Sequence, residues 1–225
     1  MKRAVIILSG GLDSTTCMGI AKAEGYKLSA LTFDYGQRHS VELESAKRVA
    51  SFYEVEDHRI VKLDFLRTIG GSALTDDHLS VPTDGVGEDI PITYVPGRNL
   101  LFLSMASSYA EVLDADAIFI GVNALDYSGY PDCRPEFIEA VQKTIALGTK
   151  KGVEGRPTRI EVPLIHWSKA QIIRRGTELA VPYELTTSCY QGGEVACGEC
   201  DSCRLRLKGF EEAGFVDKIA YHTNP

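Results

Sequence analysis

Apolar runs of strand length recur along the chain, each followed by a stretch whose apolar residues fall at helical spacing. The runs are Ala4 to Leu8, Leu28 to Phe33, Arg59 to Leu63, Ala117 to Val122 and Ile160 to Leu164. The helical patterns are Ser14 to Glu24, the set Val41, Ala46, Val49, Ala50 and Tyr53, then Leu100 to Val112, Glu136 to Leu147 and Ser168 to Ala180. Parallel strands need crossover helices, and those helices cover both faces of the sheet, so the strands read as continuous apolar runs. The expectation is an α/β fold with a doubly wound parallel five-stranded sheet. Ser168 is placed as the N-cap of the last of these helices, which stops before Pro182. One interval, Gly70 to Pro96, is rich in Gly, Pro, Asp and Thr and has no sustained period. It reads as a long loop, either a lid or binding segment or a surface insertion.

With 225 residues, 44% of them hydrophobic, and a mean hydropathy of -0.07, the chain suits one packed domain and a small appendage. Lys2 and Arg3 precede only the short run Ala4 to Leu8, too brief for a signal-peptide core, and no apolar stretch reaches membrane length. A cytoplasmic protein is expected, with reduced thiols, so the six cysteines point to metal binding or chemistry rather than disulfides. The net charge of -7 speaks against a general nucleic-acid binder, whose affinity rests on clustered Lys and Arg.

The first strand runs straight into Ser9-Gly10-Gly11-Leu12-Asp13-Ser14-Thr15-Thr16, where the first helix begins. Ligands bind at the carboxyl ends of parallel strands. Two adjacent glycines permit a sharp turn that aims successive N–H groups at an anion. The helix start adds unsatisfied donors, and Ser9, Ser14 and Thr15 add hydroxyls. No G-x-x-x-x-G-K-[ST] or G-x-G-x-x-G is present at this turn, which weakens kinase and dehydrogenase readings. Asp13 beside a phosphate nest would repel the ligand unless a divalent cation lay between them, so it is assigned to Mg2+. The alternative is a structural Gly-Gly turn with Asp13 capping the helix.

Cys189, Cys197, Cys200 and Cys203 form C-x7-C-x2-C-x2-C, with Gly192, Gly193 and Gly198 allowing tight turns. Four thiolates fit tetrahedral Zn2+ in a closed structural site. An iron–sulfur cluster is the rival, although Arg204-Leu205-Arg206-Leu207 after Cys203 departs from the ferredoxin run. Cys17, on the apolar face of the first helix, reads as core. Cys133 is either a substrate contact or a packed thiol. Arg98 and Asn99, set by Pro96-Gly97 at a helix start, can face the same crevice, where Arg98 would clamp a carboxylate or phosphate. A surface ion pair is the plainer reading of Arg98. Lys169 follows Ser168 and either neutralises a phosphate in the crevice or lies solvated on a helix face. Tyr127 and Tyr130, with Asp126, Asp132 and Arg134, suit a flat heterocycle or an ordered surface loop. His39 reads as polar lining.

The loop resembles the S-G-G-x-D-S signature of the ATP pyrophosphatase superfamily, whose members cleave ATP between the α and β phosphates and adenylate an oxygen. Further motifs extend the likeness over essentially the whole chain, which resembles the 7-cyano-7-deazaguanine synthase family. They are Phe33-Asp34-Tyr35-Gly36-Gln37-Arg38-His39, Tyr94-Val95-Pro96-Gly97-Arg98-Asn99, Gly121-Val122-Asn123, Asp126 through Arg134 and the four C-terminal cysteines.

The resemblance implies a Rossmann-like, adenine nucleotide α-hydrolase-like domain over residues 1–185 and a small zinc-binding helical subdomain over 186–225. It implies conversion of 7-carboxy-7-deazaguanine and ammonia to 7-cyano-7-deazaguanine in queuosine biosynthesis, with ATP, Mg2+ and Zn2+, and a homodimer without direct nucleic-acid or membrane partners. It assigns ATP to Leu8, Ser9, Gly10, Gly11, Leu12, Asp13, Ser14, Thr15, Thr16 and Cys17. Substrate falls to Tyr35, Arg98, Asn99, Asn123, Asp126, Tyr130, Asp132 and Arg134, and catalysis to Asp13, Arg98 and Lys169. Two rivals stay open. A tRNA-thiolating enzyme would share the loop, and a DNA-binding zinc-module regulator would explain the cysteines alone.

Overall fold

The computed structural model describes residues 1–37, 41–76, 78–82, 89–125 and 129–222. Five strands form one parallel sheet in the order β3-β2-β1-β4-β5: β1 (Arg3–Ile7), β2 (Lys27–Asp34), β3 (His58–Lys62), β4 (Ala117–Phe119) and β5 (Arg159–Glu161). The order reverses at β1: the chain first builds outward through β2 and β3, then returns to the far side of β1 for β4. A crevice therefore opens at the carboxyl ends of β1 and β4, the place where open parallel sheets bind ligands.

The central strand shows the doubly covered design in its side chains. Ala4 and Ile6 point to one face, Val5 and Ile7 to the other, and all four are buried. The first face packs under α1 (Leu12–Ala23), α2 (Val41–Phe52) and α7 (Lys169–Glu178), in a core with Leu8, Met18, Phe119 and Ile173. The second packs under α4 (Arg98–Val112) and α5 (Pro135–Gly148), with Leu31, Phe33, Leu103 and Ile138. The edges are more polar: β3 carries His58, Arg59 and Lys62, and β5 carries Arg159 and Glu161.

Helix α7 starts as expected. Ser168 Oγ accepts from Gln171 N–H at 3.3 Å and Gln171 Oε1 accepts from Ser168 N–H at 2.8 Å, a reciprocal capping box. Two strands are shorter than their apolar runs. Pro163 cannot donate to a ladder and ends β5 at Glu161. Strand β4 ends at Phe119, so that Gly121 passes close to the loop: a Cβ there would lie 2.9 Å from Asp13 C and Ser14 N. The helical patterning did not announce α3 (Asp64–Ile69) or α6 (Lys150–Val153), both under two turns long.

The irregular interval is not all surface. Ala73, Leu74 and Val81 are buried, Ala73 N–H bonds to Ile92 O, and Ala73 and Val81 pack against Cys189, Cys200 and Cys203. Helix α8 (Asp201–Ala213) leaves the cysteine cluster and returns Phe210 to the main core. None of the described helices is long and apolar enough to cross a membrane.

Candidate functional site

The loop after β1 is held by its own hydroxyls. Ser9 Oγ and Ser14 Oγ lie 3.0 Å apart, Ser9 N–H donates to Ser14 Oγ at 3.2 Å, and Gly11 N–H donates to Ser9 Oγ at 3.2 Å. Gly10 takes a φ of +81°, and a Cβ on it would sit 2.5 Å from both Ala46 N and Glu42 O, so the turn is open only to glycine and is pressed against α2. Beyond Ser14 the helix turns into the core. Thr15 Oγ1 bonds back to Gly11 O, Thr16 Oγ1 bonds to Leu12 O and meets Tyr183 OH, and Cys17 is fully buried. Burial, and then the charge of Asp13, raise the Cys17 thiol well above its ordinary range.

Asp13 is not alone beside the nest. Lys169, from the first turn of α7, places Nζ 2.8 and 2.9 Å from its two carboxylate oxygens. The pair is largely shielded, with side-chain exposures of 10% for Lys169 and 24% for Asp13. Two residues far apart in sequence thus meet where one was expected to hold a cation and the other a phosphate.

The loop forms one end of a cavity of about 220 Å3. Leu8, Ser9, Gly11, Leu12, Asp13 and Ser14 line that end, while Tyr35, Arg98, Asn99, Asn123, Tyr130 and Cys133 line the remainder, around the stacked rings of Phe33 and Phe102. Arg98 opens α4 after Gly97, whose φ of +66° turns the chain into the helix. Its Nη1 donates to Tyr35 OH at 3.2 Å. Asn99 is clasped to the 3-10 turn Pro131–Cys133: its N–H donates to Asp132 Oδ2 at 3.1 Å, and its Nδ2 donates to Asp132 O at 3.1 Å and reaches Cys133 Sγ at 3.5 Å. Asp132 stands behind Asn99, and its Oδ1 is buried with no hydrogen-bond partner among the described residues. Burial, with Asp132 adding its charge, raises the Cys133 thiol to about 12, so it faces the cavity as a neutral group.

Asn123 lines the cavity but is also tied to the backbone, and other expected residues are placed differently. Asn123 Nδ2 bridges Leu164 O and Trp167 O at 2.9 and 2.6 Å, which ties the end of β4 to the β5–α7 connection. Gly10, Thr15, Thr16 and Cys17 do not line the cavity. Arg134 is exposed and bonds to Pro131 O. Arg38, His39, Asp126, Tyr127 and Ser128 lie outside the described residues.

Several lining residues escaped the sequence reading. Glu42, in the first turn of α2, lines the cavity together with Arg98. Burial pushes its carboxyl up to about 7, against the pull of Arg98 and of a hydrogen bond from Gln37. Thr187, Ser188, Tyr190 and Ser202 come from the C-terminal region, and Thr187 N–H donates to Gly10 O at 3.0 Å. No periodicity marks these four; only the fold brings them to the loop.

The four C-terminal sulfurs lie within 4.8 Å of one another. Tetrahedral zinc with Zn–S bonds near 2.3 Å requires sulfurs about 3.8 Å apart, so a small adjustment closes the shell. Backbone N–H groups already face them: Cys197 N–H and Cys200 N–H lie 3.3 Å from Cys189 Sγ and Cys197 Sγ respectively. Hydrogen bonds from the Cys200 and Cys203 thiols, then from backbone N–H groups, hold Cys189 far below the usual thiol range. The donor set fits zinc. Beneath it, the guanidinium of Arg206 is fully enclosed, paired with Asp217 at 2.6 and 3.0 Å and bonded to Thr186 Oγ1 and Ser188 Oγ.

The family model for the queuosine biosynthesis protein QueC matches residues 3–214. The chain is 61% identical over 220 residues to a 7-cyano-7-deazaguanine synthase of Oceanobacillus iheyensis, covering 98% of each. It is 62% identical over 221 residues to one of Acetivibrio thermocellus, again covering 98% of each. Among solved structures, an NMN synthetase from Francisella tularensis aligns with all of this chain and 90% of its own, with a TM-score of 0.50 and 14% identity, a likeness of fold alone.

Proposed function

Because the chain belongs to the QueC family of queuosine biosynthesis proteins, we propose that it is an ATP-dependent ligase making 7-cyano-7-deazaguanine from 7-carboxy-7-deazaguanine and ammonia. The observation that carries this reading is the single cavity whose one end is the phosphate loop and whose other end presents Arg98 and Asn99. A carboxylate is a poor electrophile, and activation by ATP cures that only if phosphate and carboxylate are held in one place.

In this reading the loop N–H groups and the Ser9 and Ser14 hydroxyls hold the β and γ phosphates. Arg98 steers the substrate carboxylate toward the α-phosphorus. A carboxylate oxygen bonds to that phosphorus, and the bridging oxygen to the β-phosphorus leaves with pyrophosphate. Lys169 swings from Asp13 to the α-phosphate and stabilises the charge there. Asp13, released, is the residue that would hold Mg2+ entering with ATP, whose part is to offset phosphate charge. Ammonia then bonds to the acyl carbon, and AMP and one nitrogen proton depart, giving an amide. A second adenylation, on the amide oxygen, again releases pyrophosphate, and departure of AMP with loss of both N–H protons gives the nitrile. Phe33 and Phe102 offer apolar surface for flat rings, with Asn99 and Tyr130 as polar readers. Zinc held by four thiolates has no open position and would supply structure rather than chemistry.

Incubation with the carboxy compound, an ammonium salt and ATP is expected to yield the nitrile by mass spectrometry, together with AMP and pyrophosphate. ADP without AMP would overturn the reading.

A further inference from the structure

Beside Arg98 the main cavity has a side chamber of about 80 Å3, walled by Tyr35, Gln37, Glu42, Arg98, Leu74, Tyr190 and Cys189. Five of these residues, Tyr35, Gln37, Glu42, Arg98 and Tyr190, line both spaces, so the chamber adjoins the end where the substrate carboxylate is placed. A water occupies roughly 30 Å3, so the chamber has room for a few molecules of that size beside the main cavity. Resting on the ligase reading above, we propose that this chamber receives the ammonium ion that supplies nitrogen, with Glu42 as its counter-ion.

The charges favour it. Gln37 is neutral and held in place, since its Oε1 accepts from Tyr35 N–H at 2.8 Å, its Nε2 donates to Phe33 O at 3.3 Å, and its side chain also bonds to Glu42. With the Cys189 sulfur committed to the cysteine cluster, Glu42 and Arg98 are the ionisable side chains of opposite sign that face the chamber, and a cation beside Glu42 favours its ionised form. When the substrate carboxylate meets Arg98, two anions share one cation in a shielded place, and one negative charge is left over. An ammonium ion removes it, and as the nitrogen attacks it gives one proton to the Glu42 carboxylate, so that neutral ammonia is the nucleophile. After adenylation the phosphate of the acyl adenylate, a mixed anhydride, carries the same single negative charge, so the balance holds through the step that precedes nitrogen attack. A neutral nucleophile of the same size gains none of this.

Three rates separate the possibilities in Glu42→Gln. They are ATP–pyrophosphate exchange driven by 7-carboxy-7-deazaguanine without ammonium, product formation titrated with ammonium chloride, and product formation with hydroxylamine, which is uncharged at neutral pH. The expected result is that kcat/KM for ammonium falls at least about tenfold further than exchange does, while hydroxylamine follows exchange. Glu42→Asp, with its charge kept on a shorter arm, recovers part of the ammonium response. Equal losses with ammonium and hydroxylamine, or an unchanged ammonium response, overturn the assignment. If Glu42→Gln exchanges too weakly to measure, the same ratio is read in Glu42→Asp, where ammonium must still suffer more than exchange. Absence of exchange in the unaltered chain would defeat the ligase reading and the ammonium site together, whereas exchange with no special ammonium loss defeats only the latter.

Discussion

The phosphate loop and the cysteine-bound C-terminal region meet at the hydrogen bond from Thr187 N–H to Gly10 O, and they are built in opposite ways. The loop is one short run of sequence whose form comes from two glycines and from hydroxyls bonding within the run. The C-terminal region has few regular backbone bonds between Thr186 and Cys200, and takes its form from side chains: four sulfurs on one side and the buried Arg206–Asp217 pair on the other. A loop made of backbone donors is suited to binding an anion that arrives. A segment made of cross-links is suited to holding Thr187, Ser188 and Tyr190 against the cavity. Damage to the first should remove chemistry and spare the fold. Damage to the second should remove both.

The largest expected effect is in the C-terminal region. Cys200→Ser should lose zinc and lower stability by about 5 kcal/mol or more, read as metal content and Tm, with activity falling in parallel. An unchanged Tm would break the comparison. Arg206→Met comes next, because it leaves Asp217 buried without its cation. Asp217 is 2% exposed, and losses of about 3–5 kcal/mol follow from breaking such a pair, seen as a lower urea midpoint.

Asp13→Asn tests the other side. It should cost about a hundredfold in pyrophosphate release while Tm moves by no more than about 5 °C. Retained turnover would remove Asp13 from the phosphate chemistry, and an unfolded protein would mean that the Lys169 pair is a structural element like the Arg206 pair.

The smallest effect is a pH dependence. Glu42 has its carboxyl raised from 4.5 to about 7 by burial, so the folded chain binds that proton more tightly than the unfolded chain does. Stability from this group is fully present below about pH 4.5 and is lost as pH rises to about 7. Glu42→Gln lacks the loss. Its stability relative to the unaltered chain should therefore climb by about 1–3 kcal/mol across that window and then level off, as measured by denaturant titration at several pH values. A difference that shrinks with rising pH would contradict the burial of Glu42.

The same contrast explains what could be read from the residues alone. The five strands and the loop were legible because each is a local pattern: an apolar run, two glycines, a helix start. The ends of β4 and β5 were overrun, since an apolar run does not show where Pro163 removes a donor or where Gly121 must approach Asp13. Arg98 and Asn99 were legible because Gly97 and Pro96 announce a turn before a helix. Arg134, two residues beyond Asp132, was grouped with it by proximity in sequence, but Asp132 turns inward against Asn99 and Arg134 turns out to solvent. Glu42, Thr187 and Ser188 had no local signal. Their place depends on α2 and the C-terminal segment converging on Gly10, a long-range event that a reading in windows cannot see. The pairing of Asp13 with Lys169 is of the same kind.

The central claim is that the loop end of the cavity serves transfer of an adenylyl group to the substrate's carboxyl oxygen. It is tested most directly with 7-carboxy-7-deazaguanine carrying 18O in its carboxyl group, in the presence of ATP and ammonium. The predicted result is 18O in the phosphate of the released AMP, with none in pyrophosphate. AMP free of label, or label in inorganic phosphate alongside ADP, would contradict it.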